Sequence, residues 1–421
     1  MPITAWIAIA VVIATVWALV KRFETRLVLI ASGLFLTCLS LQPMQALNAF
    51  AKSMTNSGLI MAICSAMGFA FVIQYTKCDV HLVKLLSAPL TKLGLVLIPA
   101  GTIITFFVAI AIPSAAGCAA AVAPTMVPIM LKAGISREGT AASLLAGTFG
   151  SMLSPGLSHN PFVAKMSNMD VMEIIALHMP YTLVCGAVAV VGVTIACIVM
   201  GDYKRGKDLS SELAVKDDGI SKPNIFKAVA PIVPVVLLIC GNLWFPVIKM
   251  GVAQAMLVGV LYTLLVTLAN PESLSKEFFK GMGKGYGDVL GIIIAAGVFA
   301  AGLTTSGLIG ALIDVLRHSN EIARWGGSLG PFLMGVITGS GDAAAYAFNE
   351  AVTPHATSFG MDVPTLGAMA ALSGALGRTM SPISGVAIVI CGLTMINPME
   401  LTKRLAVPMV VSVIFVALAM V

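Results

Sequence analysis

The stretches GTFGSMLSP (Gly147–Pro155) and GALGRTMSP (Gly374–Pro382) share the pattern G-x-x-G-x-x-[LM]-S-P at an offset of 227 residues. The same offset sets Met172-Glu173 on Met399-Glu400, each near the start of an apolar run. Upstream, Pro128 and Gly134 fall on Pro354 and Gly360 at an offset of 226. One position of slip is what a duplicated and diverged unit leaves behind. The pattern predicts two similar halves, 1–200 and 227–421. They are joined by the long polar stretch 201–226, GDYKRGKDLSSELAVKDDGISKPNIF, read as a cytoplasmic linker.

Composition decides what surrounds these halves. Of 421 residues, 58% are hydrophobic and 10% charged, and the mean hydropathy is +0.98. Soluble domains carry roughly 25% charged residues, so water cannot be the solvent for most of this surface, and lipid replaces it. Only helices and closed barrels satisfy their backbone in lipid, and apolar runs of about 20 residues select helices. Full crossings are predicted at about 3–20, 27–42, 57–75, 171–200, 227–247, 250–269, 286–306 and 401–421. The regions 93–166 and 325–395 are apolar but interrupted by Gly, Pro and Ser. No charged segment precedes the first apolar run, so 3–20 reads as a retained helix rather than a signal peptide. Eight scattered cysteines show no C-x-x-C or Cys/His spacing and read as small buried hydrophobes.

Charge then tests orientation. With the N-terminus outside, each half needs five crossings plus one re-entrant hairpin. The first hairpin has arms at about 96–112 and 118–131, with its tip at Pro113–Gly117, and enters from the inside. The second has arms at about 325–338 and 343–356, with its tip at Gly339–Asp342, and enters from the outside. Nineteen of the 25 Lys and Arg then lie in inner loops, five in outer ones, and the remaining one is Arg378. Basic residues concentrate on the cytoplasmic side, which supports this arrangement. Five crossings per half is an odd number, so the second half is inverted relative to the first. The excess of basic residues therefore serves topology; no nucleic-acid surface is expected.

Non-helical backbone at membrane depth survives only where it lines protein or a watery cavity. Four such breaks are predicted in two matching pairs: Pro113–Gly117 with Ser154–Pro161, and Gly339–Asp342 with Arg378–Gly385. Matching breaks in inverted repeats point to a midplane site, and their half-helix N-termini suit an anion. Ser114, Ser154, Ser158, Asn160, Ser340, Gly341, Thr379, Ser381 and Ser384 are substrate-binding candidates offering neutral hydrogen bonds. Arg378 can grip a carboxylate with two parallel bonds. Asp342 is the matching intramembrane acid, and with Asn349 and His159 it is a candidate for coupling to Na⁺ or H⁺, a Na⁺ site near Asp342 included. The bland alternative is that Arg378 and Asp342 form a structural ion pair. Glu350 and His355 are lesser candidates, and Asp288 and Asp314 read as interfacial. The Gly-rich run Gly281–Gly291 lacks the G-K-[ST] ending of a phosphate loop and is expected to be a flexible entry to a crossing.

The motifs AAGVFAAGL (Ala295–Leu303), TGSGDAAAYAFNE (Thr338–Glu350) and GRTMSPISGV (Gly377–Val386) closely resemble those of DcuC-type C4-dicarboxylate transporters, within the ion transporter superfamily. PSAAG (Pro113–Gly117) and Ala141–Lys165 resemble the same family more weakly. The resemblance implies a carrier of succinate, fumarate, malate or aspartate in the bacterial inner membrane, homodimeric, working by exchange or with a cation. It also implies an elevator in which a transport domain, 93–166 plus 325–395, moves against a scaffold of the remaining helices. The second tip reads Gly-Ser-Gly-Asp where the resemblance leads one to expect Gly-Ser-Gly-Asn, which adds a negative charge beside the anion site.

Three function classes follow. The first is a secondary transporter of C4-dicarboxylates without a resident cofactor. The second is a cation/proton antiporter of the same superfamily using Asp342, and the third a carrier of another small carboxylate or an amino acid. An enzyme finds no support: the five histidines show no metal spacing, and no Ser/His/Asp set converges.

Overall fold

A computed structural model describes residues 3–21, 23–87, 96–203, 222–311 and 320–420. Most of the linker, with Lys204, Arg205, Lys207 and Lys216, lies outside these residues, as do Arg22, Lys92, Asp314 and Arg317. The described chain is helical, and no strand occurs in it; an isolated antiparallel bridge joins Ile135 and Tyr203. Six helices are long and apolar enough to cross a membrane, Val171–Val199 among them, and shorter apolar helices accompany them. The chain is a multi-pass membrane protein.

Local chemistry marks the helix ends. Asp170 and Glu173 form a reciprocal capping box at the start of Val171–Val199. Asn270 and Asn397 cap their helices through side-chain oxygens, each followed by Pro at the first helical position. At both places where a hairpin was expected, two helices are joined by a short turn. Leu97–Ala111 turns at Ile112–Ser114 into Ala115–Lys132, and Asn320–Thr338 turns at Gly339-Ser340 into Gly341–Ala351. The broken helices follow. Arg137–Gly147 tightens into a 3₁₀ segment, Thr148–Leu153, before a gap and helix His159–Ser167. Val363–Met380 stops at Ser381 and resumes as Gly385–Thr394. Helices beginning at Ala115, Arg137 and His159 recur 226 residues later at Gly341, Val363 and Gly385, and the one beginning at Val171 recurs 227 later at Pro398.

Several expectations need correction. Helices Pro43–Met54 and Cys78–Ser87 were not anticipated: the first is 12 residues long and mixes Gln45, Asn48 and Lys52 with exposed Met44, Leu47 and Phe50, and the second is too short to register as a crossing. The crossing expected at 227–247 is built from Ile225–Val229, a 3₁₀ turn and Val233–Leu243. The Gly-rich run is no flexible entry. Helix continues from Pro271 through a π-turn at Gly285–Leu290 to Thr305, because Gly281 lets the backbone press against Met67 and Gly68 of helix Ser57–Tyr75. The outgoing arm of the second hairpin ends at Ala351, after which Thr353–Phe359 is 3₁₀.

Small residues set the packing. A Cβ at Gly33 would meet the Val298 backbone, and one at Gly302 the Gly33 backbone, so Thr25–Leu39 and Gly291–Thr305 lie in close contact. Ser57–Tyr75 packs on Val252–Thr267 and Pro271–Lys284. Elsewhere Gly147 and Gly150 fit against Thr102, Thr105 and Phe106, while Gly341 and Gly377 fit against Gly374 and Phe332. Helices Val171–Val199 and Pro398–Ala419 pack together and bind to these hairpin units. Gly192 faces Pro408, Thr402 Oγ1 donates to the Met380 carbonyl, and Arg324 Nη2 donates to the carbonyls of Ala417 and Leu418.

Candidate functional site

Four breaks of regular helix meet at one cavity of about 260 Å³. Its wall includes both hairpin tips, through Pro113–Ala116 and Gly339–Asp342. It also includes Gly156–Ser158 of the first broken helix, and Arg378, Gly385 and Val386 of the second. Ile63, Met67 and Val289 close it from the neighbouring helices. A second cavity, of about 290 Å³, has Thr15 and Thr338 as its polar side chains, both already donating to backbone carbonyls. It offers nothing to a polar solute.

Three helices start at the first cavity with the same device. Ser114, Ser340 and Ser384 each accept a hydrogen bond from the third helical N–H, at Gly117, Ala343 and Ala387, over 3.2–3.3 Å. The first two residues of each helix (Ala115 and Ala116, Gly341 and Asp342, Gly385 and Val386) line the cavity. Their N–H groups have no partner within the helix, so three positive dipole ends converge on one space.

Arg378 sits two residues before the end of Val363–Met380 and lines the same space. Its Nε and Nη2 are buried and have no hydrogen-bond partner. The ion pair between Arg378 and Asp342 is absent: among the described residues the partner of Asp342 is His159, with Nε2 to Oδ1 at 2.9 Å. The reason is competition from the first broken helix, which brings His159, 2% exposed, against the second hairpin. The His159 ring stacks on Tyr346 at 4.6 Å, and the Tyr346 hydroxyl donates to Ser158 Oγ. The second hairpin is therefore fastened to the first broken helix, across 183 and 188 positions of sequence.

The remaining candidates stand behind the wall. Asn160 donates to the carbonyls of Met152 and Ser154, which closes off the end of the 3₁₀ segment. Its own oxygen meets His178 Nε2, and His178 Nδ1 meets Thr182. Ser154 Oγ accepts from Gly156 N–H. Thr379 and Ser381 donate to the carbonyls of Ala375 and Val336, and Ser384 to that of Ser381. Asn349 donates to the Gly367 carbonyl and accepts from Thr353. Thus Ser114, Ser158, Ser340, Gly341, Asp342 and Arg378 come together at the cavity; Ser154, Asn160, Asn349, Thr379, Ser381 and Ser384 hold the breaks in shape. Sequence reasoning missed Tyr346 and His178. Tyr346 lies four positions after Asp342 on one helix face, a spacing that could have flagged it; nothing in the sequence ties His178 to Asn160.

Comparison with known proteins bears on the family and the fold. A model of the C4-dicarboxylate anaerobic carrier family, DcuC, matches residues 3–421. A relative in Haemophilus influenzae, named only as an uncharacterized transporter, is 46% identical over 278 residues, covering 64% of this chain and all of its own. The anaerobic C4-dicarboxylate transporter DcuC of Escherichia coli K12 is 29% identical over 374 residues, 86% of this chain and 79% of that one. Among solved structures, Neisseria gonorrhoeae MtrF, described within a class of antimetabolite efflux pumps, superposes with a TM-score of 0.64 at 14% identity. That match covers 90% of this chain and 84% of MtrF. The Alcanivorax borkumensis YdaH transporter gives 0.59 at 12% identity over 89% and 87%. These two show a shared fold.

Proposed function

The chain belongs to the C4-dicarboxylate anaerobic carrier (DcuC) family, and on that premise we propose that it is a secondary transporter or exchanger of C4-dicarboxylates such as succinate, fumarate and malate. The observation that carries the reading is Arg378: it lines a cavity where three helix N-termini converge, and two of its guanidinium nitrogens are buried without partners. An isolated buried guanidinium is costly unless an anion answers it. One carboxylate takes the Arg378 fork; the other takes free N–H groups at the starts of Ala115–Lys132 and Gly341–Ala351, with the hydroxyls of Ser114 and Ser340 beside them.

We assign the movement to an elevator built on an inverted repeat. Two features support this: the recurrence of helix starts at 226–227 residues, and the position of the cavity between hairpin units and the helices carrying Ile63, Met67 and Val289. The moving body is 93–166 plus 325–395, extended by Val171–Val199 and Pro398–Ala419, which are bonded to it; the other helices form the scaffold. The bacterial inner membrane and a homodimeric state follow from the family resemblance. A second reading, cation or proton exchange through Asp342, is favoured by the place of that carboxylate in the cavity wall and its bond to the buried His159.

Arg378→Ala should lower succinate counterflow in proteoliposomes by at least about 100-fold, the equivalent of two lost charged hydrogen bonds, while the protein elutes as a single folded species. Retained succinate flux would sink the dicarboxylate assignment. Succinate-independent, pH- or Na⁺-driven exchange that disappears in Asp342→Asn would replace it with the second reading.

A further inference from the structure

Arg378 and Asp342 are the two charged residues in the described wall of the cavity. A plain dicarboxylate answers the first and the three helix N-termini, but it offers nothing to the second. Asp342 Oδ1 accepts from His159, whereas Oδ2 has no partner among the described residues, and the side chain is 45% exposed, facing the cavity. His159 reaches Oδ1 and not Oδ2. Its Nδ1 is buried and has no partner among the described residues. Of the other titratable groups nearby, the Tyr346 hydroxyl is spent on Ser158 and the Cys118 thiol on the Thr105 carbonyl, while Arg378 makes no ion pair with Asp342. None supplies a proton to Oδ2.

We infer that Asp342 is a specificity-determining residue that selects C4-dicarboxylates bearing a 2-ammonium group over plain ones. This rests on the carrier reading above and names the substrate within it. As substrate enters, the cavity loses water, and a carboxylate oxygen left without a donor beside two substrate carboxylates is penalised by both desolvation and repulsion. An ammonium supplies a proton and the opposite charge; a hydroxyl supplies the proton alone. Sites built to bond a substrate donor reject analogues that lack it far more strongly than apolar pockets reject a missing methylene. The order of affinity is therefore aspartate, then malate, then succinate.

The test is counterflow by the full chain in proteoliposomes, with labelled aspartate and succinate competed by malate and N-acetylaspartate. Aspartate should bind at least about tenfold more tightly than succinate, with malate between them and N-acetylaspartate no better than succinate. Asp342→Asn, whose amide donates to a carboxylate, should collapse or reverse the ratio. Equal affinities for aspartate and succinate would overturn the inference and leave the carrier reading standing. Movement of neither acid would overturn both. Should Asp342→Asn not fold, the unaltered protein decides: N-acetylaspartate matching aspartate removes the role of the ammonium.

Discussion

Asp202 and Arg404 show how single residues tie the molecule together. Asp202, 3% exposed, follows the end of helix Val171–Val199. It accepts from Arg404 Nε and Nη2 at 2.7 and 2.8 Å and from the Ser136 hydroxyl. Burial pushes its carboxyl up, but the hydrogen bonds from Arg404 and Ser136 and the guanidinium charge outweigh that, and it sits below the usual carboxylate value. A depressed value means stability present above the unfolded value of about 3.9 and lost as pH falls through the folded one. Asp202→Asn should cost about 3 kcal/mol at neutral pH, since it removes the carboxylate that takes both Nε and Nη2 of a buried guanidinium and leaves only the ion pair of Nη1 with Glu400. A thermal melt followed from pH 7 to 3 checks this: the variant should lose part of the acid sensitivity of the unaltered protein. At the same scale Arg378 was legible from sequence, because an arginine inside an apolar run must answer something. The partner of Asp342 was not, because His159 lies 183 positions away.

At the scale of elements, the second hairpin depends on backbone-to-backbone contact. A Cβ at Gly341 would lie 2.3 Å from the Gly374 carbonyl oxygen, and one at Gly377 2.1 Å from that of Phe332. Backbone atoms in packed helices cannot yield, so Gly341→Ala pushes the hairpin off helix Val363–Met380. Overpacking of this kind costs roughly 1–3 kcal/mol, and because Gly341 and Asp342 begin the helix at the cavity, transport should fall by at least about tenfold. Gly392→Ala is the control: nothing lies within 4 Å of its Cβ, and Ala should leave flux unchanged and stability equal or slightly higher. Uptake per unit of folded protein distinguishes the two. The hairpins and breaks were readable in the sequence to within a few residues, because Pro, Gly and Ser interrupt apolar runs there. Helices Pro43–Met54 and Cys78–Ser87 escaped notice because a short or amphipathic helix leaves no 20-residue apolar run.

At the scale of the whole molecule, an elevator requires the first broken helix to slide past helix Ser57–Tyr75. A Cβ placed at Gly156 would lie 3.2 Å from that of Ala66, close to the separation a disulfide needs. Ala66→Cys with Gly156→Cys, in a background with Cys64→Ala, should crosslink on oxidation, stop exchange and recover on reduction. Full crosslinking with undiminished exchange would rule out relative movement at this contact and with it the proposed division of bodies.

The sequence by itself determined the solvent, the helical class and the places where helices break. Each of these depends on local composition and spacing, which a linear reading samples directly. Tertiary structure alone decided that Asp342 pairs with His159 rather than with Arg378, and that Tyr346 fastens to Ser158. It also decided that Asn160 is spent on carbonyls and that Asp202 belongs to the packed body rather than to the linker. Those outcomes come from competition among hydrogen-bond partners up to about 200 positions apart, and only the packed chain sets which partner is near enough to win.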